Sequence, residues 1–189
     1  YFRAHDGVNG QELWTSDGTE AGTRQVKDIR TSTADSNPSA AVLANGQIFF
    51  TAYQLAVGTE LRKTDGTEAG TVMVKDIYSG TASASPDSLV AAGDTLFFRA
   101  DDGVHGQELW RSDGTEAGTS LVRDICPGPA SAGVAGLTSE GSTLYFRADD
   151  CTHGLELWKS DGTQAGTVLV RDIWPGSGGS SPESMTRVG

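Results

Sequence analysis

Long apolar runs, basic side chains, cysteines and the short signatures of known enzyme chemistries are all scarce in this sequence. Each scarcity removes a class of function. No stretch approaches the roughly 20 apolar residues that a membrane-crossing helix needs, so the chain reads as soluble and no membrane insertion is expected. Lys and Arg number 14 against 25 Asp and Glu, a formal net charge of −11. Affinity for nucleic acid rests on clustered cations, so phosphate backbones are excluded as partners, and anionic membrane surfaces with them. The plain role of such acidity is a solvated surface that keeps a protein dispersed. There is no HExxH, no CxxC pair, no phosphate-binding glycine loop and no serine nucleophile elbow. The expectation is a protein that is not an enzyme and carries no cofactor. A polysaccharide-acting enzyme built on two carboxylates is the lesser alternative, because an acidic chain offers many such pairs.

What the sequence does have is period. Glu-Leu-Trp occurs at Glu12, Glu108 and Glu156, and Glu60-Leu61-Arg62 is a fourth copy, each separated from the next by 48 residues. A constant spacing of that size marks repeated supersecondary units, not a mixed globular enzyme fold. The 25 glycines among 189 residues favour many turns between short strands. One domain spanning 1–189 is expected at this length, with repeats in phase at 1–48, 49–96, 97–144 and 145–189. The chain opens at Tyr1, inside a repeat and without initiator Met or signal peptide, which reads as a mature product or an excised segment of a longer protein.

Four strands are expected per repeat, most clearly at Ser88–Ala92, Thr95–Ala100, Glu108–Ser112 and Thr119–Ile125. Leu96, Phe98 and Ala100 alternate with Phe97 and Arg99, which is the strand period and not the helical one. Between the third and fourth strands, Ser112-Asp113-Gly114-Thr115-Glu116-Ala117-Gly118-Thr119 recurs at 16–23, 64–71 and 160–167. Asp bonds back to the backbone two residues on and Gly accepts positive φ, so this is a hairpin turn. Asp17, Asp65, Asp113 and Asp161 are therefore turn formers, since no Asp-x-Asp-x-Asp-Gly run with a distal Glu accompanies them; calcium is the alternative.

A four-stranded antiparallel unit of this length is a propeller blade, and the predicted fold is an all-β, four-bladed β-propeller. The chain is cut between first and second strands, so a strand near Ser184–Val188 and the N-terminal strands would share one blade and close the ring. The pattern Glu-Leu-Trp-x-Ser-Asp-Gly-Thr-x-Ala-Gly-Thr, followed by Val-Lys/Arg-Asp-Ile, resembles the bacterial ELWxxDGT repeat, a relative of kelch-type blades. The resemblance covers essentially the whole chain and implies a multi-copy, secreted bacterial repeat protein with no catalytic residues to transfer. Copy two departs from it at Arg62 and at Tyr53–Val57.

Both cysteines break the repeat. Cys126 stands where other copies have Arg30, Tyr78 and Trp174, and Cys151 where they have Gly7, Leu55 and Gly103. Cys126 follows a fourth strand, and Cys151 lies between the second and third strands of the next blade, loops that emerge on the same face. A disulfide between neighbouring blades is expected, with free thiols or a metal pair as alternatives, and it would place the protein outside the reducing cytosol.

Glu12, Glu60, Glu108 and Glu156 recur, as do Asp28, Asp76, Asp124 and Asp172, so structural pairing within blades is expected of them. Arg3, Arg99 and Arg147 are candidate partners for the Glu set. Because Thr51 replaces this Arg where Arg62 replaces Trp, contact between Arg and Trp is also expected. The unequal loops of one face carry the candidate ligand-binding residues Asp6, Asn9, Asp101, Asp102, His105, Asp149, Asp150, His153 and Trp174. Such loops suit sugar hydroxyls, a protein ligand or a calcium-assisted glycan contact, and they are also ordinary turns. The functional expectation is a non-catalytic binding or adhesion module, secreted or at the cell surface, a monomer or a segment of a longer multi-repeat chain. A purely structural repeat segment is the alternative.

Overall fold

The computed structural model describes residues 1–186. Among them are fifteen strands and no helix: β1 Phe2–His5, β2 Gln11–Thr15, β3 Arg24–Lys27, β4 Ser39–Ala44, β5 Gln47–Gln54, β6 Gly58–Thr64, β7 Val72–Met73, β8 Asp87–Ala92, β9 Thr95–Asp101, β10 Gln107–Ser112, β11 Ser120–Arg123, β12 Ala135–Glu140, β13 Thr143–Asp149, β14 Leu155–Ser160 and β15 Val168–Arg171. They form four antiparallel meanders in chain order: β1–β3, β4–β7, β8–β11 and β12–β15. The strands of the third meander fall within a residue or two of those expected, except that β11 is shorter.

Each sheet, here called a blade, is apolar on both faces. Register explains how: Trp110 lies opposite Phe98 and Glu108 opposite Ala100, whereas Leu109 lies opposite Arg99. Alternate residues therefore divide between a face toward the preceding blade and a face toward the next. Phe49, Leu61, Val74 and Ile77 of the second blade pack on Leu96, Phe98, Ala100 and Trp110 of the third. Leu109, Val122 and Ile125 of the third pack in turn with Leu144, Phe146, Ala148 and Trp158 of the fourth. Burying one such Phe or Leu stabilises by about 1.5–3 kcal/mol, so these blade junctions are the core of the molecule.

The same register corrects two expectations. Arg99 shares a face with Leu109, so it meets neither Glu108 nor Trp110. It pairs instead with Asp87, directly opposite on β8, and donates from Nη1 to the Val134 carbonyl. In copy two, Thr51 stands opposite Ser39 at this position. Buried Arg62, in the Trp position, donates to Gln54 Oε1 at 2.6 Å and lies in the field of both Glu12 and Glu60. Gln54 occupies the place of Asp102, so the two changes in copy two accompany one another in space.

The ends of the stack differ from its interior. Val170 and Ile173 are 44% and 52% exposed, although Val26, Val74, Val122, Ile29, Ile77 and Ile125 are all buried. At the other end Phe2 is 42% exposed, and Ser16 and Thr23 are exposed where Ser112, Ser160, Thr119 and Thr167 are buried. Among the described residues the first blade has three strands, and β1 pairs with β2 alone. Of the expected closing strand, residues 187 and 188 lie outside the described residues.

Candidate functional site

Every third-to-fourth-strand turn is built the same way. Asp113 Oδ1 accepts from the Thr115 amide at 2.8 Å and from Thr115 Oγ1 at 2.7 Å, and Thr115 Oγ1 accepts from Gly118 N. Ser112 and Thr119 join their hydroxyls at 2.7 Å across the base of the turn. These bonds hold the carboxyls of Asp17, Asp65, Asp113 and Asp161 below the ordinary range, the Thr hydroxyl making the largest contribution. A Cβ on Gly118 would lie 2.1 Å from Asp113 Oδ1, which accounts for glycine at that position.

The four Glu carboxylates occupy the opposite end of each blade, completely buried. Glu60 accepts from the amides of Ile77 at 3.0 Å and Ala84 at 2.9 Å, tying the crossover from β7 toward β8 back to β6. Glu108 accepts from Ile125 and Cys126, Glu12 from Ile29 and Arg30, and Glu156 from Ile173, Trp174 and Ser180. Burial pushes Glu60 and Glu108 up to about 7, and the neighbouring Asp76 and Asp124 add to the effect. Glu12 and Glu156 also receive a hydroxyl, from Ser36 at 2.6 Å and Ser180 at 2.5 Å. Burial still raises Glu12, whereas at Glu156 the donors outweigh burial and lower it. Sequence reasoning missed this clamp, although the alternation of Glu108 with Trp110 places the carboxyl on an apolar face.

The predicted ligand loops lie between the second and third strands. Asp102 Oδ1 accepts from the Val104 and His105 amides, and its Oδ2 meets His105 Nδ1 at 2.8 Å. Asp150 holds the Thr152 and His153 amides and His153 Nδ1, the last at 2.7 Å, in the same way. In copy one, Asp6 holds the Val8 and Asn9 amides, and Asn9 Nδ2 replaces the imidazole. Asp101 and Asp149 each accept an amide two residues on, from Gly103 and Cys151. The His105 and His153 side chains remain 35% and 38% exposed. Their hydrogen bonds to Asp102 and Asp150 raise both imidazoles above the usual histidine value. The structure thus gives copies three and four one shared arrangement, an Asp-oriented imidazole in a loop whose amides are held by the same carboxylate.

The crossover loops pack against these tips. Cys126 and Cys151 form the expected disulfide, with their Cα atoms 5.3 Å apart. One junction earlier, the Tyr78 ring occupies the space over Gly103, where a Cβ would come within 2.5 Å of it. In the first junction the Arg30 guanidinium lies 4.8 Å from the Tyr53 ring centroid. Trp174, the fourth of the set, is 61% exposed and packs over Gly178 of its own loop. Among the described residues, no three His, Cys, Asp or Glu side chains are grouped to hold a metal ion.

Opposed titrations give a pH optimum. Glu12, Glu60, Glu108, His105 and His153 are all raised, so the stability they confer is complete below their unfolded values and is lost as pH rises through the folded ones, about 7 for Glu60 and Glu108. The lowered carboxyls of Asp6, Asp17, Asp65, Asp113, Asp161, Asp102, Asp150 and Glu156 act oppositely and lose their contribution under acid. The melting temperature should peak between about pH 4 and 5 and fall toward about pH 8. Calorimetric scans showing a flat or rising melting temperature over that interval would contradict this assignment.

No family model matches the chain, and no curated protein matches it. Solved structures do, among them two of puromycin hydrolase. A crystal structure of a puromycin hydrolase mutant complexed with PGG is similar over 92% of this chain and 27% of its own, with TM-score 0.56 and 18% identity. A second puromycin hydrolase structure is similar over 87% and 25%, with TM-score 0.55 and 17% identity. The chain spans about a quarter of the length of these proteins. At such identity the likeness shows fold alone, a β-propeller-like succession of blades.

Proposed function

We propose that this chain is a non-catalytic binding module whose ligand surface is the loop face carrying His105 and His153. The reading is supported by one observation above others: two loops hold an Asp-fixed, half-exposed imidazole in identical geometry, on blades joined by a disulfide beside the second loop. A ring nitrogen fixed through Nδ1 leaves Nε2 for a hydroxyl or carbonyl of a ligand, and a loop already held by its own hydrogen bonds reduces the ordering cost of contact. The ligand class is a glycan, whose hydroxyls suit alternating imidazole and amide groups. The disulfide is compatible with a secreted or cell-surface location. The repeat is of the ELWxxDGT type.

A glycan array probed with and without calcium tests this. Retention of a defined glycan set by the chain, weakened at least about tenfold by His105→Ala with His153→Ala, is the expected result, a loss of about 1.4 kcal/mol. An array without hits, or binding untouched by the double variant, would support the second reading, a purely structural segment. That reading is favoured by the loop carboxylates already accepting from their own amides. The activity of puromycin hydrolase is not transferred through a likeness of fold; turnover of acidic polysaccharides by this chain would replace binding by catalysis.

A further inference from the structure

We propose that the junction of the first and second blades holds a binding cleft for the carboxylate of an acidic sugar, with Arg30 and Gln54 as its contacts and buried Arg62 as the residue that orients Gln54. The cleft, of about 270 Å³, lies between the crossover from β3 to β4 and the hairpin loop from β5 to β6. Arg30, Thr31, Ser32 and Gln54 supply its polar lining, and Ile29 and Leu55 belong to its apolar side. It is the counterpart of the places where Tyr78 covers Gly103 and where Cys126 bonds Cys151. At those later junctions the crossover side chain fills or bridges the space. At the first, Arg30 lies over the Tyr53 ring and the cleft beside it stays open.

Arg62 sets the chemistry of this cleft from behind. It is 4% exposed, and its one hydrogen bond among the described residues runs from Nη2 to Gln54 Oε1 at 2.6 Å. Its Nε is buried without a partner, and it makes no ion pair among the described residues. A guanidinium can only donate, so it holds the Gln54 oxygen inward and leaves Nε2, the donor end of the amide, to the cleft. Arg30 adds a cation: Nη1 donates to the Asp35 carbonyl at 3.3 Å, and Nε and Nη2 have no partner among the described residues. The Asp35 carboxylate is itself engaged by the Gln11 amide at 2.8 Å. In copies three and four the place of Gln54 holds Asp102 and Asp150, which accept. The first junction therefore presents a cation and donors where the later ones present carboxylates.

No Asp or Glu lines the cleft. In a chain of net charge −11, a pocket of that composition selects a ligand of negative charge. A planar guanidinium beside a planar amide matches the planar carboxylate, whose two oxygens accept in parallel. The buried charge of Arg62 favours the same sign, because a buried cation without an ion pair gains from an anion nearby. Leu55 is 67% exposed, and together with Ile29 it offers apolar surface that a bare inorganic anion cannot cover. Thr31 and Ser32 offer hydroxyls. A hexuronate, a carboxylate carried on a sugar ring, uses both kinds of lining. The cleft lies apart from His105 and His153, so the proposal stands or fails independently of the ligand surface assigned to them.

Titration of the isotope-labelled chain with glucuronate, followed by nuclear magnetic resonance of the Gln54 side-chain amide and the Arg30 Nε–H, tests the proposal. Glucuronate should shift both signals with a millimolar dissociation constant. Glucose, which lacks the charge, and inorganic phosphate, which lacks the ring, should bind at least about tenfold more weakly. Arg30→Gln and Gln54→Glu should each weaken glucuronate at least about tenfold. Gln54→Glu keeps the fold, because its carboxylate gains Arg62 as a partner. Arg62→Met should hold or raise the melting temperature, since an apolar side chain replaces a buried charge, while weakening glucuronate at least about threefold. A merely structural role for Arg62 would not separate those two readouts, and unchanged affinity in Arg62→Met would remove it as the residue that orients Gln54. Binding of glucose, inorganic phosphate or N-acetylglycine, a carboxylate without a sugar, as tightly as glucuronate would overturn the choice of an acidic sugar. No shift at any glucuronate concentration, or affinity unchanged by Arg30→Gln and Gln54→Glu, would overturn the cleft as a site.

Discussion

Replacing Glu60 with alanine is expected to lower stability by about 3–5 kcal/mol. Two buried amides, those of Ile77 and Ala84, would lose their acceptor, and each unsatisfied buried donor costs about 1–3 kcal/mol. The vacated volume adds to this, because the carboxyl is completely enclosed. The loss has a pH signature. Burial raises Glu60 to about 7, so the native state with glutamate is most stable below that value and the alanine variant lacks the gain. Urea denaturation should therefore show a larger difference between the two proteins at about pH 5.5 than at about pH 8. A difference under about 1 kcal/mol at either pH would remove the carboxyl from its role as clamp of the crossover.

Loss of the Cys126–Cys151 bridge is the second large effect. The bridged residues are 25 apart in sequence, and closing a loop of that length stabilises by about 3.5 kcal/mol through restriction of the unfolded chain. The choice of replacement matters. Cys151 has φ of +63°, and its equivalents Gly7 and Gly103 have φ of +85° and +80°. Cys126→Ser with Cys151→Gly should thus lose about 1 kcal/mol less than Cys126→Ser with Cys151→Ser, since glycine occupies the left-handed region freely. Equal losses from both pairs would show that the backbone relaxes once the bridge is gone. Because the Tyr78 and Arg30 junctions hold without a covalent link, the bridgeless chain should still fold.

How far the fold was legible depended on which property carried each feature. Strand positions and the Asp-Gly turns follow from alternation and from local side chain-to-backbone bonds, and the turn at Asp113 has the expected form. The bridge was legible because two cysteines broke a strict period at loops of the same face. Pairings across strands were not. Arg99 looked like a partner for Glu108 and Trp110, yet the ladder sets Leu109 opposite it. A shift of one residue in register exchanges the two faces of a strand, and composition does not specify that shift when both faces are apolar. The Glu clamp was hidden for a different reason: its partners are main-chain amides 17 and 24 residues away, which every sequence possesses.

The candidate site divides along the same line. Asp102 and His105, or Asp150 and His153, are close in sequence, so their loops could be named beforehand. That each Asp fixes its imidazole through Nδ1, and that Tyr78 and Cys126 brace successive loop tips, required the packing of one blade on the next.

By itself, then, the sequence determined an all-β repeat of four units, its turns, its disulfide and the loops that differ between copies, because these depend on contacts local in the chain or on departures from a fixed period. Only the tertiary structure decided which face each side chain occupies, where the buried glutamates find their donors, and that Val170, Ile173 and Phe2 stand exposed at the ends of the stack. Those outcomes depend on strand register and on the presence or absence of a neighbouring blade, which is a property of the assembled sheets and not of any one repeat.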